Sequence, residues 1–187
     1  LVSTNDPEVV EISNAFNSKK IKVLLRPDEL SSSSASTDEL IKYVPEIMPD
    51  GHILWTHVTS PFINSDIYSQ IIEAYLCNLD QFDSLMTVTK IQKYIWNNTE
   101  PINYDHNLEK WPRTQTVKPL WEVNSGVFLA PKTIYKRSMD RIGKAPYLFQ
   151  LSDEIAFDID WLPDYKIAEA LYYSMHNITT GINDPRE

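Results

Sequence analysis

Ile21-Lys22-Val23-Leu24-Leu25-Arg26-Pro27, followed after a serine-rich loop by Ser36-Thr37-Asp38-Glu39-Leu40-Ile41, holds the alternation on which the fold turns. The first run reads as a short strand: aliphatic and β-branched residues dominate it, and Pro27, which has no N–H for a sheet ladder, stops it. In the second, Ser36 and Glu39 have the spacing of a capping box, each side chain able to satisfy a backbone N–H of the other. Leu40, Ile41 and Val44 then follow with helical spacing.

The same pairing of strand and helix repeats outward in both directions. Upstream, Val2-Ser3-Thr4 reads as the end of a strand, and Asn5-Asp6-Pro7 announces a helix carrying Val9, Val10, Ile12, Ala15 and Phe16. Downstream, His52 to Val58 is apolar enough for a buried strand stopped by Thr59-Ser60-Pro61. Asn64 or Ser65 can cap a helix whose Ile67, Ile71, Ile72, Tyr75 and Leu76 form one stripe. Ser84 to Thr89, Val123 to Leu129 and Ile155 to Ile159 read as strands; Lys132 to Asp140 and Pro163 to Tyr173 read as helices. Strands alternating with helices predict an α/β fold, a mostly parallel Rossmann-like sheet flanked by helices.

One segment breaks the rhythm. From Lys90 to Trp121 the chain is aromatic and polar, with Trp96, Tyr104 and Trp111 set among Asn and Pro, and it is too long for an ordinary connection. The expected organisation is one domain over residues 1–175, with 90–121 as an inserted excursion and 176–187 as a tail.

Composition narrows the function classes. With 26 acidic against 17 basic residues and a formal net charge of −9, the chain is ill suited to grip a nucleic-acid backbone by counterion release. No run approaches the ~18 apolar residues of a membrane-spanning helix. Cys77 is the only cysteine, so neither an internal disulfide nor a thiolate metal site can form, and a reducing, cytoplasmic setting is expected. The chain opens at Leu1 with neither a Met nor a signal-peptide pattern, from which we expect a preceding strand-and-helix unit.

The strongest chemical signal is Phe157-Asp158-Ile159-Asp160. In a strand, alternate residues share a face about 7 Å apart, given ~3.3 Å rise per residue, so both carboxylates could converge on one cation. Their mutual repulsion, of order 2 kcal/mol at an effective dielectric of about 20, is relieved when a cation binds. Arg26 stands at a strand's C-terminal end, where open α/β sheets bind ligands and a guanidinium can donate to a base or a phosphate. Thr59 and Ser60 offer hydroxyls and N–H groups at another strand end.

Four pieces, taken in order, resemble the acylneuraminate cytidylyltransferase family, enzymes that activate nine-carbon acidic sugars as CMP derivatives. They are Val2-Ser3-Thr4-Asn5-Asp6-Pro7-Glu8; Arg26-Pro27-Asp28-Glu29-Leu30 with Ala35-Ser36-Thr37; Thr59-Ser60-Pro61; and Trp121 with Asn124-Ser125-Gly126-Val127-Phe128 and Phe157-Asp158-Ile159-Asp160. Each piece is weak alone, whereas the order and spacing are fairly specific. The resemblance implies CTP and a nine-carbon 2-keto acid sugar as substrates, Mg²⁺ held by Asp158 and Asp160, and a homodimer built on the 90–121 excursion. It implies Arg26, Ala35, Thr37, Thr59 and Ser60 on the nucleotide side, and His57, Arg113 and Phe128 on the sugar side. No nucleic acid or membrane partner is expected.

The departures are specific too. His57 stands where the family often has Gln in a Gln-Pro-Thr-Ser-Pro run, and Phe128 where relatives often have Tyr. The family's Gly- and Lys-containing triphosphate loop has no match in the chain, which by itself is expected to be inactive. Two other readings fit these features: a 3-deoxy-manno-octulosonate cytidylyltransferase, whose Gly-Asp-x-Pro motif is here Val58-Thr59-Ser60-Pro61, and a non-catalytic dimeric scaffold derived from the family.

Overall fold

The structure is a computed structural model that describes residues 1–32 and 34–176; the expected tail beyond His176 lies outside the described residues. The chain divides into two compact units. The described residues of Leu1–Gly51 and Lys132–Arg141 form the first, and those of His52–Pro131 and from Ile142 to His176 form the second.

In the first unit, strand β1 (Val2–Thr4) and strand β2 (Val23–Leu25) pair in parallel, with helix α1 (Pro7–Ala15) as the crossover between them. The Asp6 carboxylate caps α1, accepting from the N–H of Glu8 at 2.8 Å, and Pro7 opens its first turn. Helix α2 (Thr37–Ile47) begins with the predicted capping box: Ser36 Oγ accepts from the Glu39 N–H at 3.2 Å, and Glu39 Oε2 accepts from the Ser36 N–H at 2.8 Å. Ile41 is its buried aliphatic residue, and helix α4 (Lys132–Ser138) packs against α2 with Ile134 and Tyr135 buried.

In the second unit, strands β3 (His52–Thr56), β4 (Ser84–Ile91), β5 (Leu120–Pro131) and β6 (Pro146–Leu151) form one sheet in the order β3-β5-β4-β6. β5 is antiparallel to both β3 and β4, while β4 and β6 are parallel. Three strands therefore run one way and β5 alone runs against them, giving an α/β, Rossmann-like sheet. Helix α3 (Ser65–Cys77) connects β3 to β4, and Asn64 caps it by accepting from the N–H groups of Asp66 and Ile67, both at 3.1 Å. Leu54, Leu129, Leu85 and Tyr147 lie in register across the four strands and join Ile63, Ile71, Tyr75, Val127 and Leu151 in the core. Ile72 and Leu76, expected on the buried stripe of α3, are 40% and 55% exposed. The buried face is rotated from the stripe the sequence suggests: Ile71 and Tyr75 are buried, and Ile67, Tyr68 and Ala74 pack beside them against the core.

One reading needs correcting. Ile155–Ile159 is not a strand: the strand is β6, a few residues earlier, and the chain then turns through Asp153–Ala156 and continues as irregular backbone. Ile155 and Ala156 pack on the core from that turn, which explains their apolar character without a sheet ladder. The excursion, in turn, is the connection of an antiparallel pair, since Ile91 pairs with Leu120 and Lys90 with Trp121. Helix α5 (Leu162–Met175) closes the described chain.

Candidate active site

The C-terminal ends of β3, β4 and β6 all lie at one edge of the sheet, because these strands share a direction, and that edge is where open α/β sheets bind ligands. A cavity of about 380 Å³ opens there, lined by Thr89 near the end of β4, Glu122, Asn124 and Ser125 of β5, and Asp153, Asp158 and Asp160 after β6. Its ionisable lining is entirely acidic.

The floor of the cavity is an irregularity in β5. Between the pairs Met86–Phe128 and Val88–Val123, the residues Asn124-Ser125-Gly126-Val127 stand against the single Thr87. The buried Thr87 hydroxyl supplies what the interrupted ladder lacks, accepting from the Val127 N–H at 2.9 Å and donating to the Val127 carbonyl at 3.3 Å. Asn124 Nδ2 donates to Thr89 Oγ1 at 3.0 Å, and Asn124 Oδ1 accepts from the Gly126 N–H at 3.3 Å. Ser125 has φ 59°, the left-handed region, which for a residue with a Cβ costs about 1–2 kcal/mol. Gly126 leaves room for its neighbours: a Cβ there would stand 2.6 Å from Ile63 Cδ1 and 3.2 Å from Thr87 Oγ1, so a side chain would have to displace the Ile63 methyl in the core. The chain thus bends strand residues into the cavity and holds them by side-chain hydrogen bonds.

Asp158 and Asp160 both reach this cavity, although not as alternate residues of a strand. The Ile159 N–H between them donates to the Thr59 carbonyl at 2.9 Å, and Phe157 packs edge-to-face on Phe62 with ring centroids 6.5 Å apart. From the other side, the Asp164 carboxylate accepts from the N–H groups of Trp161 at 2.8 Å and Asp160 at 3.2 Å. Asp158 is half-buried, and its Oδ1 is buried with no hydrogen-bond partner; Asp160 is exposed. A buried, unpaired carboxylate oxygen costs about 1–3 kcal/mol or more and calls for a partner.

These oxygens fit a hard cation. Among the described residues, no group of three or more His, Cys, Asp or Glu side chains forms a complete ligand set. Two carboxylates suffice for Mg²⁺, which keeps waters and shares its remaining positions with substrate phosphates.

The other expected residues fall as follows. Thr59 and Ser60 form the turn after β3; Ser60 is 5% exposed, and its Oγ has no hydrogen-bond partner. His57, half-buried, stacks on Trp55 with centroids 6.1 Å apart. Phe128 is 3% exposed in mid-β5, paired with Trp55 and Met86, and does not line the cavity. Arg113 is exposed within the excursion, and its carbonyl accepts from the N–H and hydroxyl of Thr116. Arg26, Ala35 and Thr37 belong to the first unit. There Arg26 Nη2 donates to the Ser3 carbonyl at 2.6 Å and its Nε to Ser3 Oγ at 3.4 Å, so that part of the five-donor guanidinium ties β2 to β1. Half-buried Ala35 donates its N–H to the Ser32 carbonyl, and exposed Thr37 is the first residue of α2.

Sequence reasoning did not single out Thr87, Thr89, Glu122 or Asp153. Thr87 and Thr89 lie two apart in Ser84–Ile91, where a threonine on the buried face was the available signal.

No protein-family model matches the chain. Among curated proteins, it is 22% identical over 151 residues to an N-acylneuraminate cytidylyltransferase of Streptococcus agalactiae, covering 78% of this chain and 36% of that protein. It is 24% identical over 205 residues to an N-acylneuraminate cytidylyltransferase of Escherichia coli O18:K1:H7, covering 100% of this chain and 46% of the relative. It is 25% identical over 189 residues to a pseudaminic acid cytidylyltransferase of Campylobacter jejuni, covering 94% of this chain and 78% of the relative. The chain thus spans less than half the length of the first two relatives and about three quarters of the third. These similarities, reaching across most of the chain, agree with the motif resemblance and support its placement in the acylneuraminate cytidylyltransferase family.

Proposed function

We propose that the protein to which this chain belongs transfers the CMP group of CTP to a nine-carbon 2-keto acid sugar of the sialic or pseudaminic type, releasing pyrophosphate. The observation that carries this reading is the acidic cavity at the C-terminal strand edge, into which Asp158 and Asp160 both reach and where Asp158 Oδ1 is buried without a protein partner. The names of the relatives supply the reaction class.

In this reading the sugar's anomeric hydroxyl oxygen forms a bond to the α-phosphorus, the bond from that phosphorus to the bridging oxygen breaks, and pyrophosphate leaves with its electron pair. The hydroxyl proton passes to solvent. Asp158 and Asp160 would hold Mg²⁺, which when bound would offset the phosphate charge. The protein's own part is positional: the Asn124–Gly126 bend and the Asp164 cap hold the walls of the cavity in place before substrate arrives. On the nucleotide side the reading uses Thr59 and Ser60 of the second unit; Arg26, Ala35 and Thr37 are proposed by themselves as nucleotide-contacting residues of the first unit. His57 and Arg113 are its sugar-side residues, with the Arg113 fork suited to the sugar carboxylate, whereas Phe128, expected there too, is 3% exposed within β5 and packs the sheet instead.

The test uses the protein purified at its natural full length, with CTP, Mg²⁺ and a panel containing N-acetylneuraminic and pseudaminic acids. Pyrophosphate and a CMP-sugar should form with at least one acid and stop on chelation with EDTA. A fully folded protein that binds neither CTP nor any acid of the panel would overturn the reading in favour of a scaffold.

A further inference from the structure

Ser125 lines the cavity from the centre of the bend in β5, with φ 59° in the left-handed region. Glycine adopts that conformation without a Cβ penalty and would serve the bend equally well. The neighbours hold the bend: Asn124 bonds Thr89 through Nδ2 and the Gly126 N–H through Oδ1, and the Thr87 hydroxyl bonds both backbone groups of Val127. The backbone therefore carries a cost at Ser125 that glycine would avoid, and what serine adds there is a hydroxyl. Strain at a site lining a cavity is the mark of a residue kept for its side chain.

That hydroxyl makes no hydrogen bond to the described residues, and it is not among the side-chain oxygens sealed in the interior. Ser125 is half-buried, and the open space beside it is the cavity. The other polar side chains of the lining differ from it. Thr89 and Asn124 are bonded to each other, while Glu122, Asp153, Asp158 and Asp160, as carboxylates, only accept. Ser125 thus brings an uncommitted neutral donor to a lining rich in acceptors. A polyhydroxylated ligand suits this combination, since its O–H groups donate to carboxylates while one of its oxygens accepts from Ser125. An anionic group of the ligand would instead be set against Glu122 and Asp153 and repelled.

We propose that Ser125 is a sugar-contact residue, its hydroxyl donating to a neutral oxygen of the nine-carbon acid, a hydroxyl or an acyl carbonyl, and that the left-handed turn is kept to present it. This inference rests on the cytidylyl-transfer reading and assigns the hydroxylated part of the sugar, rather than its carboxylate, to this cavity.

Steady-state kinetics of the full-length protein, with the acid of the panel that it converts fastest, test the contact. Ser125→Gly, which takes φ 59° without a Cβ, should raise the KM for the sugar about 5–10-fold, the loss of one hydrogen bond. Its KM for CTP should stay unchanged, and its denaturation midpoint should be no lower than wild type. Ser125→Ala, which keeps the Cβ and removes only the hydroxyl, should raise the sugar KM equally. A rise in only one of the two variants traces the effect to the backbone and overturns the contact, as does a wild-type KM in both. A rise in the KM for CTP gives the cavity to the nucleotide and overturns the sugar assignment. A lowered midpoint for Ser125→Gly shows that serine serves the fold and overturns the argument from strain. If the wild type converts no acid of the panel, the cytidylyl-transfer reading itself fails and the inference with it; conversion by the wild type with unchanged variants removes the contact alone.

Discussion

The N–H of Ile159 donates to the carbonyl of Thr59 across 2.9 Å, and this one backbone bond joins the turn after β3 to the segment that carries Asp158 and Asp160. The residues are 100 positions apart in the chain, and no ladder extends the contact. What holds the acidic pair at the sheet edge is therefore a small set of local ties, which makes the site sensitive to single substitutions.

For the acidic pair itself, Asp158→Asn combined with Asp160→Asn should abolish Mg²⁺-dependent pyrophosphate release in the full-length protein while leaving the fold intact. Asn keeps the shape of each side chain and removes the charge. Turnover equal to wild type, measured at saturating CTP and sugar, would reject the assignment.

Thr87→Val keeps volume and removes the hydroxyl that completes the interrupted β4–β5 ladder. Val127 would be left with a buried N–H short of a partner, at a cost of about 1–3 kcal/mol. Chemical denaturation should show a fall in stability of that order, and Thr87→Ser should restore most of it. An unchanged midpoint for Thr87→Val would mean that the bend does not depend on this side chain.

Gly126→Ala should destabilise by about 1–3 kcal/mol, because its Cβ would lie 2.6 Å from Ile63 Cδ1 in a packed core. Ile63→Val deletes that methyl group. The double variant should therefore lose less stability than the sum of the single losses, a coupling readable from a double-mutant cycle. Strict additivity would show that the clash is relieved elsewhere.

The 90–121 excursion is proposed to mediate a homodimer. Its edge-to-face cluster of Tyr94, Trp96, Tyr104, His106 and Trp111 includes a 66% exposed Trp111, and interfaces favour such aromatics. Buried Asn103 organises the segment: its Nδ2 donates to the carbonyls of Lys93 at 2.7 Å and Lys118 at 3.1 Å, and its Oδ1 accepts from the Ile95 N–H at 3.1 Å. Sedimentation of the full-length protein at micromolar concentration should give a dimer, and Asn103→Ala should shift it toward monomer. A wild-type monomer would remove the excursion as an interface.

Stability should decline on the alkaline side. Tyr75 is 2% exposed, its hydroxyl lies 2.7 Å from His52 Nδ1, and burial, aided by the charge of Asp83, pushes its pKa up to about 12. The unfolded chain releases this proton near pH 10. Between pH 10 and 12 the native state therefore binds the proton that the unfolded state has lost, and stability present below pH 10 falls as pH rises through that window, by on the order of 2 kcal/mol. Tyr75→Phe should flatten part of this slope in urea denaturation measured across pH 9–12. An equal slope would assign the alkaline loss to other groups, among them the buried Tyr135, whose pKa burial also raises.

What the sequence determined by itself was local. The Ser36–Glu39 capping box, the Asn64 cap and the apolar runs of β2, β3 and β4 depend on residues a few positions apart, and each appears where pattern and side-chain chemistry place it. The α/β class followed, because alternation of these elements leaves few ways to bury their faces. The acidic pair was also legible, as two carboxylates in a short motif.

Tertiary structure decided the rest. Strand direction leaves no mark on a period-2 pattern, so the reversal of β5 between β3 and β4 emerges only from pairing across the long excursion. Ile155–Ile159 has the apolar character of a short strand, yet β4 is already flanked by β5 and β6, and Ile155 and Ala156 are satisfied by packing on the core from a turn. The Thr59–Ile159 tie and the Asn124–Gly126 bend depend on partners such as Ile159 and Thr87, distant in sequence. Which oxygens end up buried and unpaired is set by the packing of those distant segments, because burial is a property of the surroundings rather than of the residue.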